Sequence, residues 1–223
     1  MNTKLWSNGM DRLLEIREQV RHGMQVSAAI KPILEGGGDV EHYKTYLINV
    51  YKYARHSSKI IALAASRCIN SYPELGKYLL VHSEEEEGHD HWAMTDLNEL
   101  GVAQEVVHDT YPVPACSALI GYTHYLAEYG NPVALFGWLY VLESMGDDLG
   151  SSLARYLDKN LDLQGKSLRF VAGHGVNDVE HTADINEHLS KFVTEERDRK
   201  DIVHAARVVG DLYVRMFNEI AEN

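Results

Sequence analysis

Residues 170–189 read FVAGHGVNDVEHTADINEHL, and the polar residues in this stretch are spaced as on a helix. His174, Asp178 and His181 stand at i, i+4 and i+7, which places all three on one stripe of an α-helix. Three polar residues on a stripe ordinarily face water. Here Ala183, Ile185 and Leu189 supply apolar positions along the same segment, which weakens that alternative. Imidazole, carboxylate and imidazole on one face are donors suited to a metal ion. Gly173 and Gly175 flank His174 and leave room around it. They also leave its helical placement open.

Two further segments carry the same donor types. Residues 82–92 read HSEEEEGHDHW. On a helix, His82, Glu85, Glu86 and His89 share a face at i, i+3, i+4 and i+7. A run of four glutamates is commonly just a solvated acidic face. Glu86-x-x-His89, however, has the carboxylate–imidazole spacing used by helices that bind non-haem iron. The spacing is common by chance, so it gains weight only with the rest. The other segment, FGWLYVLESM at residues 136–145, is almost wholly apolar apart from Glu143. A carboxylate in such a helix must be paired, neutral or metal-bound, because a lone buried charge is costly. A buried ion pair with an arginine is the alternative. Taken together, the histidines and carboxylates, with no cysteine nearby, suit iron or manganese better than structural zinc. Six ligands shared by two metals are what a di-metal site in a helical bundle requires.

The rest of the chain reads as helix. Apolar residues recur with helical period, and no alternating run suggests a sheet. The periodicity predicts helices over about Asp11–His22, Val26–Leu34, Asp39–Asn70, Pro73–Leu100, Cys116–Tyr129, Pro132–Lys159, Ser167–Ala172, Asn177–Val193 and Glu195–Ala221. Asp39 serves as an N-cap, the triple glycine 36–38 is a hinge or loop, and Pro32 ends or kinks a short helix. Neither an internal repeat nor a low-complexity linker appears, so residues 1–223 are expected to form one all-α domain.

Composition narrows the functions. The net charge of −12 repels nucleic acid and anionic lipid. Two cysteines, Cys68 and Cys116, do not make a secreted disulfide scaffold. The first eleven residues lack the apolar core of a signal peptide. The longest apolar run, near Val133–Leu142, is too short to span a bilayer. A cytoplasmic protein with neither nucleic acid nor membrane as partner is expected. Thirteen tyrosines include Tyr122, Tyr125, Tyr129 and Tyr140 beside apolar helices, where they could line a pocket or simply fill the core.

From about Leu79 to Leu189, the segments EEEGHDHW (85–92), LYVLE (139–143) and FVAGHGVNDVEH (170–181) resemble the haem-oxygenase-like di-iron oxidases, a group often labelled iron-containing redox enzymes. The resemblance implies a haem-oxygenase-like bundle of about seven main helices. It implies two iron ions, with manganese as a substitute metal, and dioxygen as co-substrate. Carried over by motif, the ligands are Glu86, His89, Glu143, His174, Asp178 and His181, with Glu85 and His82 as substitutes for Glu86. Glu143 is the carboxylate expected to bridge or swing during reaction. The implied partners are a small organic substrate (an amino-acid derivative or a fatty acid) and an external electron donor; a homodimer is left open.

Four rival functions compete with this one. A haem binder would need an axial histidine such as His22 or His42. A ferritin-like bundle would need a second E-x-x-H. A thiamin-degrading hydrolase of the same fold would need Cys68 or Cys116 as nucleophile. A non-enzymatic binding or regulatory protein could keep the fold alone.

Overall fold

The computed structural model describes residues 3–222, with side chains described for 9–175 and 180–222. The described residues form helices and turns, with no strand among them. In chain order the α-helices are α1 (Thr3–Gln25), α2 (Lys31–Leu34), α3 (Val40–Ala54), α4 (Ser57–Cys68), α5 (Pro73–Glu85), α6 (His89–Glu99), α7 (Gln104–Asp109), α8 (Pro114–Glu128), α9 (Leu135–Met145), α10 (Ser151–Leu161), α11 (Arg169–Phe192) and α12 (Glu196–Ile220). A 3₁₀ turn, Pro132–Ala134, leads into α9, and a π-helical turn, Gly146–Gly150, joins α9 to α10.

The sequence of α9 explains its central position. It is apolar on every side, and each residue from Leu135 to Val141 is buried. A helix of that kind has to be wrapped by others. Around it lie α1, α8, α11 and α12. Glu143 stands near its C-terminal end, so the packing that buries α9 also carries one carboxylate into the interior.

Where the observed helices differ from the expected ones, the cause is local. Asp39 does cap α3, accepting a hydrogen bond from the Glu41 backbone N–H at 2.8 Å. The long helix expected over Asp39–Asn70 breaks at Arg55–His56, in the polar run RHSS, whose serines compete for backbone hydrogen bonds. The helix expected over Pro73–Leu100 breaks before His89, because Gly88 adopts a left-handed conformation (φ 89°) that other residues reach only with strain. The segment expected over Val26–Leu34 shrinks to α2, with Pro32 in its first turn rather than at its end. Six residues expected to be loop form α7. The two helices expected at Ser167–Ala172 and Asn177–Val193 are one, α11. Gly175 sits inside it because the π turn crosses there: a Cβ on Gly175 would lie 2.4 Å from the Ser151 nitrogen.

The π turn is clamped from α1. Arg17 Nε and Nη2 donate to Asp148 at 2.8 and 2.6 Å, and Nη2 also donates to Asp147 at 2.8 Å. Both partners are largely buried. Arg17→Ala leaves two adjacent carboxylates unpaired and should cost about 2 kcal/mol, the scale of hydrogen bonds to charged groups. Denaturant unfolding checks this; an unchanged midpoint would mean that the clamp is idle.

Candidate metal centre

Helices α5, α6, α9 and α11 converge on a cluster of imidazoles and carboxylates. From α5, His82 is fully buried, and its Nε2 lies 3.2 Å from Glu143 Oε1. From α11, His181 Nδ1 lies 3.1 Å from the other carboxylate oxygen of Glu143. Glu143 is thus held between two histidines. The bend at Gly88 turns Glu86 and His89 toward one another, with Glu86 Oε1 3.2 Å from His89 Nδ1. The rings of His89 and His174 meet edge to face at 4.8 Å.

These residues fall into three overlapping groups of donors. Glu86, His89 and His174 form one, His82, Glu86 and Glu143 a second, and His82, Glu85 and His181 a third, each with its ligand atoms within 4.8 Å of one another. Glu86 belongs to the first two, and His82 to the last two. The cluster therefore has two halves, one around His89 and His174 and one around His82 and His181, joined through the middle group of His82, Glu86 and Glu143.

The donor set fits a metal on three counts. All its atoms are imidazole nitrogen or carboxylate oxygen. His82 Nδ1 and His89 Nδ1 are buried without a hydrogen bond among the described residues, although Glu85 stands 3.5 Å from the former and Glu86 3.2 Å from the latter. Buried polar atoms normally find a partner, so these two are poised for something else. Finally, His174 Nδ1–H donates to the Phe170 carbonyl at 2.8 Å, which fixes the tautomer and leaves Nε2 free as a ligand.

Electrostatics couple the cluster. Burial pushes the Glu143 carboxyl up, but hydrogen bonds from His181 and His82 outweigh it and hold the pKa at about 2. Burial pulls His82 down, and the bond and charge of Glu143 more than reverse this. His181 is raised chiefly by its hydrogen bond to Glu143, whereas burial lowers His174. The raised imidazoles stabilise the fold below their ordinary value of 6.5 and lose that contribution as pH rises. The depressed carboxyl stabilises above its ordinary 4.5 and loses that as pH falls. His174 opposes the first effect alone. Metal-free protein should therefore melt highest between pH 4.5 and 6.5. Calorimetry in chelator should find a lower melting temperature at pH 8, and metal should reverse the order because protons compete for its ligands.

A narrow cavity of about 70 Å³ reaches the cluster from one side. It touches Glu86, His89, His174 and Glu143, and its walls are mostly apolar, among them Leu139 and Leu153. The other half of the cluster opens to solvent through Glu85, whose side chain is 49% exposed.

Of the ligands expected from sequence, Glu86, His89, Glu143, His174 and His181 stand together. The Asp178 side chain lies outside the described residues. The substitutes His82 and Glu85 are in the cluster too, beside Glu86 rather than instead of it. The tyrosines that line the cavity are Tyr46, Tyr53 and Tyr213, not those singled out in the sequence: Tyr125 and Tyr129 are exposed and Tyr140 is core. Trp92 carries no signal of its role in the sequence. Its ring lies 4.1 Å from that of His89 and packs over Gly173, a partnership that exists only once α6 and α11 are brought together.

The rival residues are poorly placed. His22 is exposed, and α1 meets the cavity through Met24. Cys68 and Cys116 are buried away from the cavity lining, and burial pushes both thiols up to about 12.

Comparison with known proteins agrees with this architecture. A domain of unknown function with a heme oxygenase-like fold from Shewanella denitrificans superposes with a TM-score of 0.85 at 24% identity, over 94% of this chain and 90% of its own. A TenA homologue from Pyrococcus furiosus gives 0.74 at 14% identity, over 96% and 99%. The heme oxygenase from Leptospira interrogans gives 0.69 at 16% identity, over 98% and 100%. At these identities the likeness is one of fold. No curated protein matches the chain. The family model described as iron-containing redox enzyme matches residues 44–214, a span that holds every member of the cluster, and the chain belongs to that family.

Proposed function

We propose that the protein is a non-haem di-iron oxidoreductase that uses dioxygen to oxidise a small, slender, largely apolar substrate. One observation carries this reading: Glu86 belongs both to the donor group of His89 and His174 and to the middle group with His82 and Glu143, so a carboxylate stands between the two pairs of histidines. A shared carboxylate between two sets of nitrogen and oxygen donors is what a metal pair needs, and a single ion or a haem has no use for it. When bound, two ferrous ions supply two electrons to dioxygen together.

The chain's own residues do the rest. His89 and His174 offer imidazole to the half that faces the cavity, and His82 and His181 to the half that faces solvent. Glu143 lies between the halves in apolar surroundings that exclude water and strengthen its interaction with cations. The cavity walls include no lysine or arginine. What the cavity encloses is therefore the hydrocarbon part of a substrate, which a fatty acid supplies with its carboxylate kept outside the cavity. The substrate would meet the Glu86–His89–His174 half. An external electron donor would restore the ferrous state.

Oxygen uptake tests the proposal. Ferrous-loaded protein should consume dioxygen faster than free iron, and medium-length alkyl acids should raise the rate where free amino acids do not. A rate no different from free iron with every substrate would favour a non-enzymatic role.

A further inference from the structure

Trp92 stands one turn after His89 on α6, half-buried and packed against the core. Its ring lies 4.1 Å from the His89 imidazole, with planes 34° apart, and meets the His174 ring of α11 at 5.7 Å and 71°. One side chain thus touches both imidazoles of the cavity-facing half. Its place is built into α11 as well. Glycine inside a helix is unfavourable relative to alanine, yet α11 carries Gly173, where a Cβ would lie 2.7 Å from Trp92 Cζ3. The indole occupies the space that the missing side chain leaves.

The two imidazoles are held differently. A histidine that binds metal is ordinarily fixed by a hydrogen bond from its other ring nitrogen. His174 has one, from Nδ1–H to the Phe170 carbonyl at 2.8 Å, and the Phe170 ring lies against it at 4.2 Å. His89 lacks an equivalent. Its buried Nδ1 makes no hydrogen bond among the described residues, and the nearby Glu86 is a donor in the same group. His89 is also the first residue of α6, directly after the left-handed Gly88, so regular helix supports it from one side only.

We propose that Trp92 is the positioning residue for His89: the indole, seated on Gly173, holds the imidazole where it joins Glu86 and His174 on one metal ion. This rests on the metal centre of the di-iron reading. A flat ring against a flat ring restricts rotation of the imidazole by packing and leaves Nδ1 open to metal. Trp92 is not part of the cavity wall, so it acts through His89 and not on substrate.

The test is anaerobic titration of the metal-free protein with cobalt(II), which takes nitrogen and oxygen donors and whose visible spectrum changes with ligand geometry. In Trp92→Leu, one binding step should weaken about 10–100-fold, the scale for residues that orient metal ligands. The visible spectrum should change with it, and the other step should stay as in the wild type. Trp92→Phe, which keeps a flat ring, should recover most of the affinity and the spectrum. Gly173→Ala should reproduce the loss by displacing the indole without removing it. The proposal is overturned if Trp92→Leu binds cobalt with wild-type affinity and spectrum, if both steps weaken alike, or if Trp92→Phe does no better than Trp92→Leu. Should Trp92→Leu fail to fold, wild-type binding in Gly173→Ala overturns it. A wild-type protein that binds no cobalt would instead sink the metal centre itself, and this role with it.

Discussion

Glu143→Ala is expected to lower iron-dependent oxygen uptake by about 100-fold or more, to the rate of free iron, since even outer-shell partners of metal ligands contribute 10–100-fold. Glu143 touches both flanking histidines, one through each oxygen. Its loss removes a carboxylate from between the halves and leaves His82 and His181 facing one another without a counter-charge. Glu143→Gln separates charge from shape. The amide keeps the volume and can still meet an imidazole nitrogen on each side, but it is a poor metal ligand. If Gln retained full uptake, Glu143 would be a structural pair for His82 and His181 and no ligand at all.

The second large effect is on stoichiometry. Glu86 belongs to the cavity-facing group and to the middle group, whereas His181 belongs to the solvent-facing group only. Glu86→Ala should therefore reduce iron binding well below one per chain. His181→Ala should leave about one, held by the cavity-facing donors. Metal analysis after anaerobic loading and desalting distinguishes them. Equal stoichiometry in the two variants would contradict the division of the cluster into two halves joined through the middle group.

Much of the site was legible in the sequence because helical spacing is rigid. His174 and His181 lie on one face of α11 whatever surrounds them, and a lone glutamate in an apolar helix must be compensated. The ambiguity among Glu85, Glu86 and His82 could not be resolved the same way. An uninterrupted helix would give all three a similar claim, and the left-handed Gly88 changes the geometry: it bends the chain so that Glu86 meets His89 while His82 stays with Glu143. The continuity of α11 was hidden for the opposite reason. Gly173 and Gly175 look like breaks, yet Trp92 and the π turn occupy the space their missing side chains leave. The π turn itself has no local signature, because what holds it is Arg17, 130 residues away in sequence.

The same geometry bears on the remaining alternatives. A haem held from an early helix would require His22 or His42 in the cavity wall, but neither lines it and α1 presents Met24 there. A thiol nucleophile would require an accessible, acidified cysteine, and both cysteines are buried with raised pKa values. The cluster has two faces, one open to solvent at Glu85 and one against the apolar cavity. No described helix is long and apolar enough to cross a membrane.

The most direct test of a di-iron centre is anaerobic titration of the metal-free protein with ferrous iron, followed by brief exposure to dioxygen and Mössbauer spectroscopy. Two irons per chain are expected, in two similar nitrogen- and oxygen-ligated environments, becoming a coupled ferric pair after oxygen. Binding that saturates at one iron, or a protein that instead takes up stoichiometric haem with a Soret band, would contradict it.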